Sequence, residues 1–325
     1  MTREIQTVTG AISVDDLGPT LMHEHVVTGM PGWQTDSLAP GYTRREMLQI
    51  AKDRVAEMQE VGVRAMVDPC ASDLGRDIEF CAEVSQATGF PIVAASGLYN
   101  EAFGGAAYWK IRAMVGQAAV DEMAEVFERE LTEGVGSTGI LTGIIKIATG
   151  GSGKITRYER NVFEAAARAS NATGAPITTH TDDGALGTEQ QALLASLGVP
   201  VHRIIIGHVC GTGDQAFHWR LVEGGTYLGF DRFGIESSVP DATRVASLLK
   251  LLQAGAASRV VVSHDTVWCW HGKPFSLDPN WTPGQFCKRI VPQLRAGGAT
   301  QEQIDTLLLH NPRRYFSDEP LPALD

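Results

Sequence analysis

The chain has 325 residues, 43% of them hydrophobic and 20% charged, which gives ample apolar material for a large core under a water-facing surface. With 27 Lys and Arg against 38 Asp and Glu the formal net charge is −11, and no basic run is present to neutralise a phosphate backbone, which argues against nucleic acid as a partner. No apolar stretch approaches the length a bilayer demands, and Met1 to Gln6 mixes charged and polar residues instead of forming a signal segment. The five cysteines are scattered, odd in number and free of any C-x-x-C pair, so a disulfide framework or zinc knuckle is not expected and a cytoplasmic setting is.

Thr20 to His23 opens the chain's regular pattern as a short strand. Thr43, with Glu46 three residues on, makes a capping box for a helix whose Met47, Ile50, Ala51, Val55 and Met58 recur at helical spacing up to Gly62. Val63 to Val67 then reads as a strand, followed by a helix ending at Gly89 and the strand Pro91 to Ala95. A third helix sets Met123, Val126, Phe127 and Leu131 on one face and stops at Gly134. Ile140 to Ile147 is strand-like, and a second capping box, Thr156 with Glu159, opens a helix that ends at Gly174. The strands Pro176–His180, Arg203–His208, Thr226–Phe230 and Val260–Asp265 complete the series. Eight short apolar strands alternating with helices predict a (β/α)8 TIM barrel. A doubly wound sheet would need a G-x-G-x-x-G turn after its first strand, and none is there. With no linker or low-complexity tract, residues 1–325 read as one domain.

Active sites of such barrels lie at the C-terminal ends of the strands. The first strand ends in His23, Glu24 and His25. Alternation turns both imidazoles into the barrel mouth and Glu24 away, a pair of nitrogen ligands suited to a metal such as zinc or to packing in the core. His180 and His208 end the fifth and sixth strands. In the eighth, an inward Asp265 leaves His264 facing the helices. So many ionisable groups on one rim are costly to bury together unless a cation compensates them. Lys146 lies in an apolar strand, where desolvation lowers its proton affinity. It could snorkel to the rim, form a Schiff base as in barrel aldolases, or capture carbon dioxide as a carbamate that bridges two metals. The converging histidines favour the carbamate.

His23-Glu24-His25, Ile145 to Thr149 around Lys146, Thr178 to Thr181 around His180, Ile206-Gly207-His208 and Ser263-His264-Asp265 together resemble the phosphotriesterase family of the amidohydrolase superfamily, from Thr7 to Phe316. The resemblance implies a binuclear site, with His23, His25 and Asp265 on the more buried ion and His180 and His208 on the more exposed one. A carboxylated Lys146 and a hydroxide would bridge them. Gly229 to Gly234, with Asp231-Arg232-Phe233-Gly234, is similar to the D-R-[FY]-G segment of the phosphotriesterase-like lactonases, and Tyr99 matches their active-site tyrosine.

That likeness implies a metal-dependent hydrolase that opens lactones, N-acyl-homoserine or other aliphatic lactones among them, with phosphotriesters as promiscuous substrates. Asp265 would shuttle the proton of the attacking hydroxide, and Tyr99 and Arg232 would orient the substrate. Trp33, Trp268, Trp270 and Phe275 are candidates for its apolar wall. Zinc is the expected metal, and iron, cobalt and manganese are the alternatives, because imidazole and carboxylate ligands suit all four. The family likeness also implies a homodimer. The alternatives are a phosphotriesterase or carboxylesterase as main activity, or an aldolase that relies on Lys146 alone.

Overall fold

Eight short strands pair in parallel in chain order, and the computed structural model describes residues 3–38, 41–274, 278 and 281–324 of the protein. Ahead of them, β1 (Glu4–Thr7) and β2 (Gly10–Ser13) form an antiparallel hairpin. The barrel begins at β3 (Thr20–Leu21), and β4 (His25–Thr28) splays outward from it. β5 (Ala65–Asp68), β6 (Ile92–Gly97), β7 (Ile144–Ala148), β8 (Ile177–His180), β9 (Ile204–Ile206), β10 (Tyr227–Phe230) and β11 (Val260–Val262) follow around the ring. Its ends meet where the Met22 N–H donates to Val262 O at 3.2 Å. Beyond the rim, β12 (Val267–Trp270) runs parallel to β4.

Side-chain alternation divides the core in two. Val67, Val93, Ala95, Ile144, Ile205, Tyr227 and Val261 fill the barrel interior, which Ile5, Leu17, Tyr315 and Phe316 close at the bottom. Their strand neighbours, among them Met66, Ile92, Ile145, Ile206, Leu228 and Val262, face the helices. Strands buried on both faces explain the continuous apolar runs in the sequence.

Both predicted capping boxes form, at the helices Arg44–Glu60 and Arg157–Thr173. The helices Ile78–Thr88 and Arg157–Thr173 end at Gly89 and Gly174, both left-handed at φ 66° and 79°, where a side chain would be strained. Val162 and Phe163 of the latter helix are fully buried, each burial contributing about 1.5–3 kcal/mol.

Three expectations need correction. Val126 is 38% exposed, although Met123, Phe127 and Leu131 of the same helix are buried; its spacing fits the stripe but lies at the stripe's solvent edge. The strand expected from Ile140 is regular only from Ile144. A further helix, Ala107–Met114, stands between β6 and the helix Ala119–Thr132. Among the described residues no helix is long and apolar enough to cross a membrane.

Candidate metal centre

Four buried imidazoles form a continuous chain at the C-terminal rim, with ring centroids 5.3 Å apart for His25 and His23, 4.8 Å for His23 and His208, and 4.6 Å for His208 and His180. Asp265 stands at their centre. Its Oδ1 lies 3.3 Å from His23 Nε2 and 3.2 Å from His25 Nε2, and its Oδ2 lies 3.8 Å from His208 Nε2. Lys146 Nζ, buried in β7, is 3.2 Å from His23 Nε2. The residues expected at the rim are thus brought together by five strand ends. His208 and Asp265 lie past their strands, at φ 60° and 59°, so it is a left-handed turn and not strand alternation that swings them inward.

The other face of three of these rings meets carboxylates. His25 Nδ1 is 3.2 Å from Asp68 Oδ1, His208 Nδ1 is 2.9 Å from Asp231 Oδ1, and His23 Nδ1 is 3.3 Å from Asp231 Oδ2. An imidazole whose Nδ1 is turned to a carboxylate presents Nε2 to the centre, the usual arrangement of a ligating histidine. These donors fit a divalent cation: His23, His25 and Asp265 form one group able to hold one.

Electrostatics agree with that fit. Burial lowers the basicity of His180 to about 4. It also lowers His208, helped by Arg232, and His23, helped by Lys146. Neutral rings keep the lone pair that ligation uses. For His25 burial acts the same way, but hydrogen bonding to Asp265 and Asp68 outweighs it and raises the pKa well above the usual value, so in the absence of a cation a proton holds that pair together. Burial would raise Asp265, yet the hydrogen bond with His25 and the Arg232 guanidinium hold it well below the usual carboxylate range. Burial brings Lys146 down to about 8 against the pull of Asp265 and Asp231.

At the mouth, the Tyr99 hydroxyl is 3.1 Å from His180 Nδ1 and 3.2 Å from its Nε2. Arg232 donates from Nε to Asp265 Oδ2 and from Nη1 to Asp183 Oδ1, both at 3.1 Å. Trp33 stacks on His271 at 4.6 Å and, with Trp270, lines a cleft of about 350 Å³ beside the rim. Trp268 instead packs into the core at 6% exposure, its indole N–H donating to Thr266 Oγ1 at 3.1 Å. Phe275 lies outside the described residues.

Glu24 turns away from the centre, as alternation predicts. It accepts from Ser263 Oγ at 2.7 Å, from the His264 and Thr266 N–H groups at 2.9 and 3.1 Å, and from the Thr266 hydroxyl. His264 bridges Glu24 and the Phe286 N–H, at 2.7 and 2.8 Å, and is structural. Asp68 and Asp231 went unassigned in the sequence. Each is the first ionisable residue after an apolar run, which is the signal that could have marked them.

A parallel eight-stranded barrel with a histidine–carboxylate centre at its C-terminal rim defines a metal-dependent hydrolase. Residues 3–316 match the phosphotriesterase family, and the chain belongs to it. Membership implies a binuclear divalent-metal site. A phosphotriesterase homology protein of Mycobacterium tuberculosis is 36% identical, with 96% of this chain and 97% of that protein covered. The organophosphorus hydrolase of Deinococcus radiodurans superposes with a TM-score of 0.93 at 38% identity, over 97% of this chain and 99% of that one. A substituted form of a phosphotriesterase-like lactonase from the same organism does so at 0.92 and 39%, over 96% and 99%.

Proposed function

We propose that the protein hydrolyses lactones, with phosphotriesters as secondary substrates, and that residues 1–325 form one hydrolase domain. The observation that carries this reading is the convergence of three Nε2 atoms on Asp265 beside Arg232 and Tyr99. The likeness to a lactonase over nearly the whole chain supports the choice of lactone. His23, His25 and Asp265 would hold one ion, His180 and His208 the second, and a carboxylated Lys146 both. Zinc suits these ligands, as do iron, cobalt and manganese. When bound, such ions supply Lewis acidity for the scissile carbonyl and a nucleophile at neutral pH.

The protein's own groups do the remaining chemistry. Asp265, ionised and steered by Arg232, takes the proton of the attacking water and returns it to the ring oxygen as the C–O bond breaks. Burial raises the Tyr99 pKa, so its hydroxyl stays protonated and donates to the substrate oxygen. Trp33 and Trp270 are the side chains that would receive an acyl chain.

The family likeness supports a homodimer, and Tyr108, Ile111 and Met114 of the helix Ala107–Met114, with Phe103 before it and Val115 just after it, all between 57% and 83% exposed, are the apolar face a second copy would cover. Light scattering giving a monomer would remove that part alone. The five free cysteines support a reducing, cytoplasmic setting. The main test is a panel of lactones, aryl esters and phosphotriesters. Lactones should give the highest kcat/KM, and a phosphotriester or simple ester leading the panel would overturn the lactone reading.

A further inference from the structure

Asp231 is 1% exposed and faces two histidines of the centre at once. Its Oδ1 accepts the His208 backbone N–H at 2.9 Å and lies 2.9 Å from His208 Nδ1. Its Oδ2 lies 3.3 Å from His23 Nδ1, a buried nitrogen that makes no hydrogen bond in this geometry and faces this carboxylate oxygen as its acceptor. The backbone leaves room for this carboxylate at Gly229, where a Cβ would stand 2.4 Å from Asp231 Oδ2. His23 and His208 belong to different ions in the reading above.

We infer that Asp231 is a shared positioning residue, one carboxylate that fixes the Nδ1–H tautomer of both His23 and His208 and so turns one Nε2 toward each metal position. The inference rests on the ligand assignment of the proposed function only for its consequence in metal binding. The tautomers themselves belong to the metal-free protein.

The chemistry makes the role specific to a carboxylate. An ionised Asp has acceptors on both oxygens, so it satisfies two Nδ1–H donors. An Asn of the same shape has one acceptor and one donor. The His208 backbone N–H needs an acceptor at Oδ1 whatever the side chain, which orients the amide with its oxygen toward His208 and its NH2 toward His23. The His23 Nδ1–H would then meet a donor, and the ring escapes only by moving its proton to Nε2. That removes the lone pair His23 offers to the centre, while His208 is left as it was. The substitution should therefore act on one ion and spare the other, an asymmetry that a general loosening of the site would not produce.

The test uses the full chain labelled with 15N-histidine, metal-free, near neutral pH, with ring tautomers read from long-range 1H–15N correlations. The native protein should show Nδ1–H for His23 and His208. Asp231→Asn should shift His23 to Nε2–H and leave His208 unchanged. In zinc titrations against a chelator it should weaken one of the two bound ions by about 10–100-fold, the range for loss of an outer partner of a ligating histidine. Gly229→Ala, whose Cβ would stand 2.4 Å from Oδ2 but 3.0 Å from Gly207 Cα and 3.1 Å from Asp231 Cγ, should weaken the same ion more than the other, so the idea stays testable if the amide variant folds poorly. An Nε2–H tautomer for His23 in the native protein, an unchanged His23 in Asp231→Asn, or equal weakening of both ions would overturn the inference. If the tautomers behave as expected but the native protein binds no zinc, the positioning role stands and the ligand assignment falls.

Discussion

Replacing Lys146 by methionine removes a buried amine while keeping most of its volume. The Lys146 pKa falls from 10.5 to about 8, and at about 1.4 kcal/mol for each pH unit this is a burial penalty of about 3 kcal/mol. The sign follows from proton counting. Between pH about 8 and about 10.5 the unfolded chain binds this proton and the folded chain does not, so stability rises with pH across that window. Below it the penalty is present in full. In metal-free protein and carbon-dioxide-free buffer, Lys146→Met should therefore be stabilising by about 3 kcal/mol near pH 7, with the gain shrinking toward zero by about pH 10.5. Urea unfolding at a series of pH values measures it. The same variant should lose metal affinity and turnover, because it removes the amine whose carboxylation would supply an anionic oxygen ligand to both ions. No gain near pH 7, or a gain that ignores pH, would refute the reasoning.

Two further substitutions separate structure from chemistry. Glu24→Ala would leave the Ser263, His264 and Thr266 donors unsatisfied in the core, and should cost about 3–5 kcal/mol in urea unfolding of the metal-free protein; a loss under about 1 kcal/mol would contradict its role in tying the barrel's ends. Tyr99→Phe should lower kcat for lactones about 10²-fold, the scale for a lost donor to a developing oxyanion, with the melting temperature unchanged. A fall in stability without a fall in kcat would assign that hydroxyl to packing.

The sequence made the barrel legible because its signals are local. Strands buried on both faces read as apolar runs, and Thr43, Thr156, Gly89 and Gly174 mark helix ends by the chemistry of capping and the left-handed turn. The helix Ala107–Met114 escaped because none of its side chains is fully buried and its N-cap has no capping side chain. At the centre, residue type and strand position brought out the histidines, Lys146 and Asp265. Their carboxylate partners did not emerge, because those contacts join residues far apart in the chain. Asp68 meets His25 from 43 residues away, and Glu24 meets Ser263 from 239. Trp268 shows the same limit from the other side, since an aromatic after a strand packs the core or lines a cleft according to a rotation that residue type does not encode.

The central claim is a two-ion centre that hydrolyses lactones, and stepwise reconstitution tests it directly. Metal-free protein would be titrated with zinc in bicarbonate buffer, with bound ions and lactone turnover recorded at each addition. The account predicts no turnover without metal and a plateau at two ions per chain, as for sites in which paired ions clamp the reacting oxygens. A plateau at one ion, or lactone hydrolysis by the metal-free protein, would contradict it.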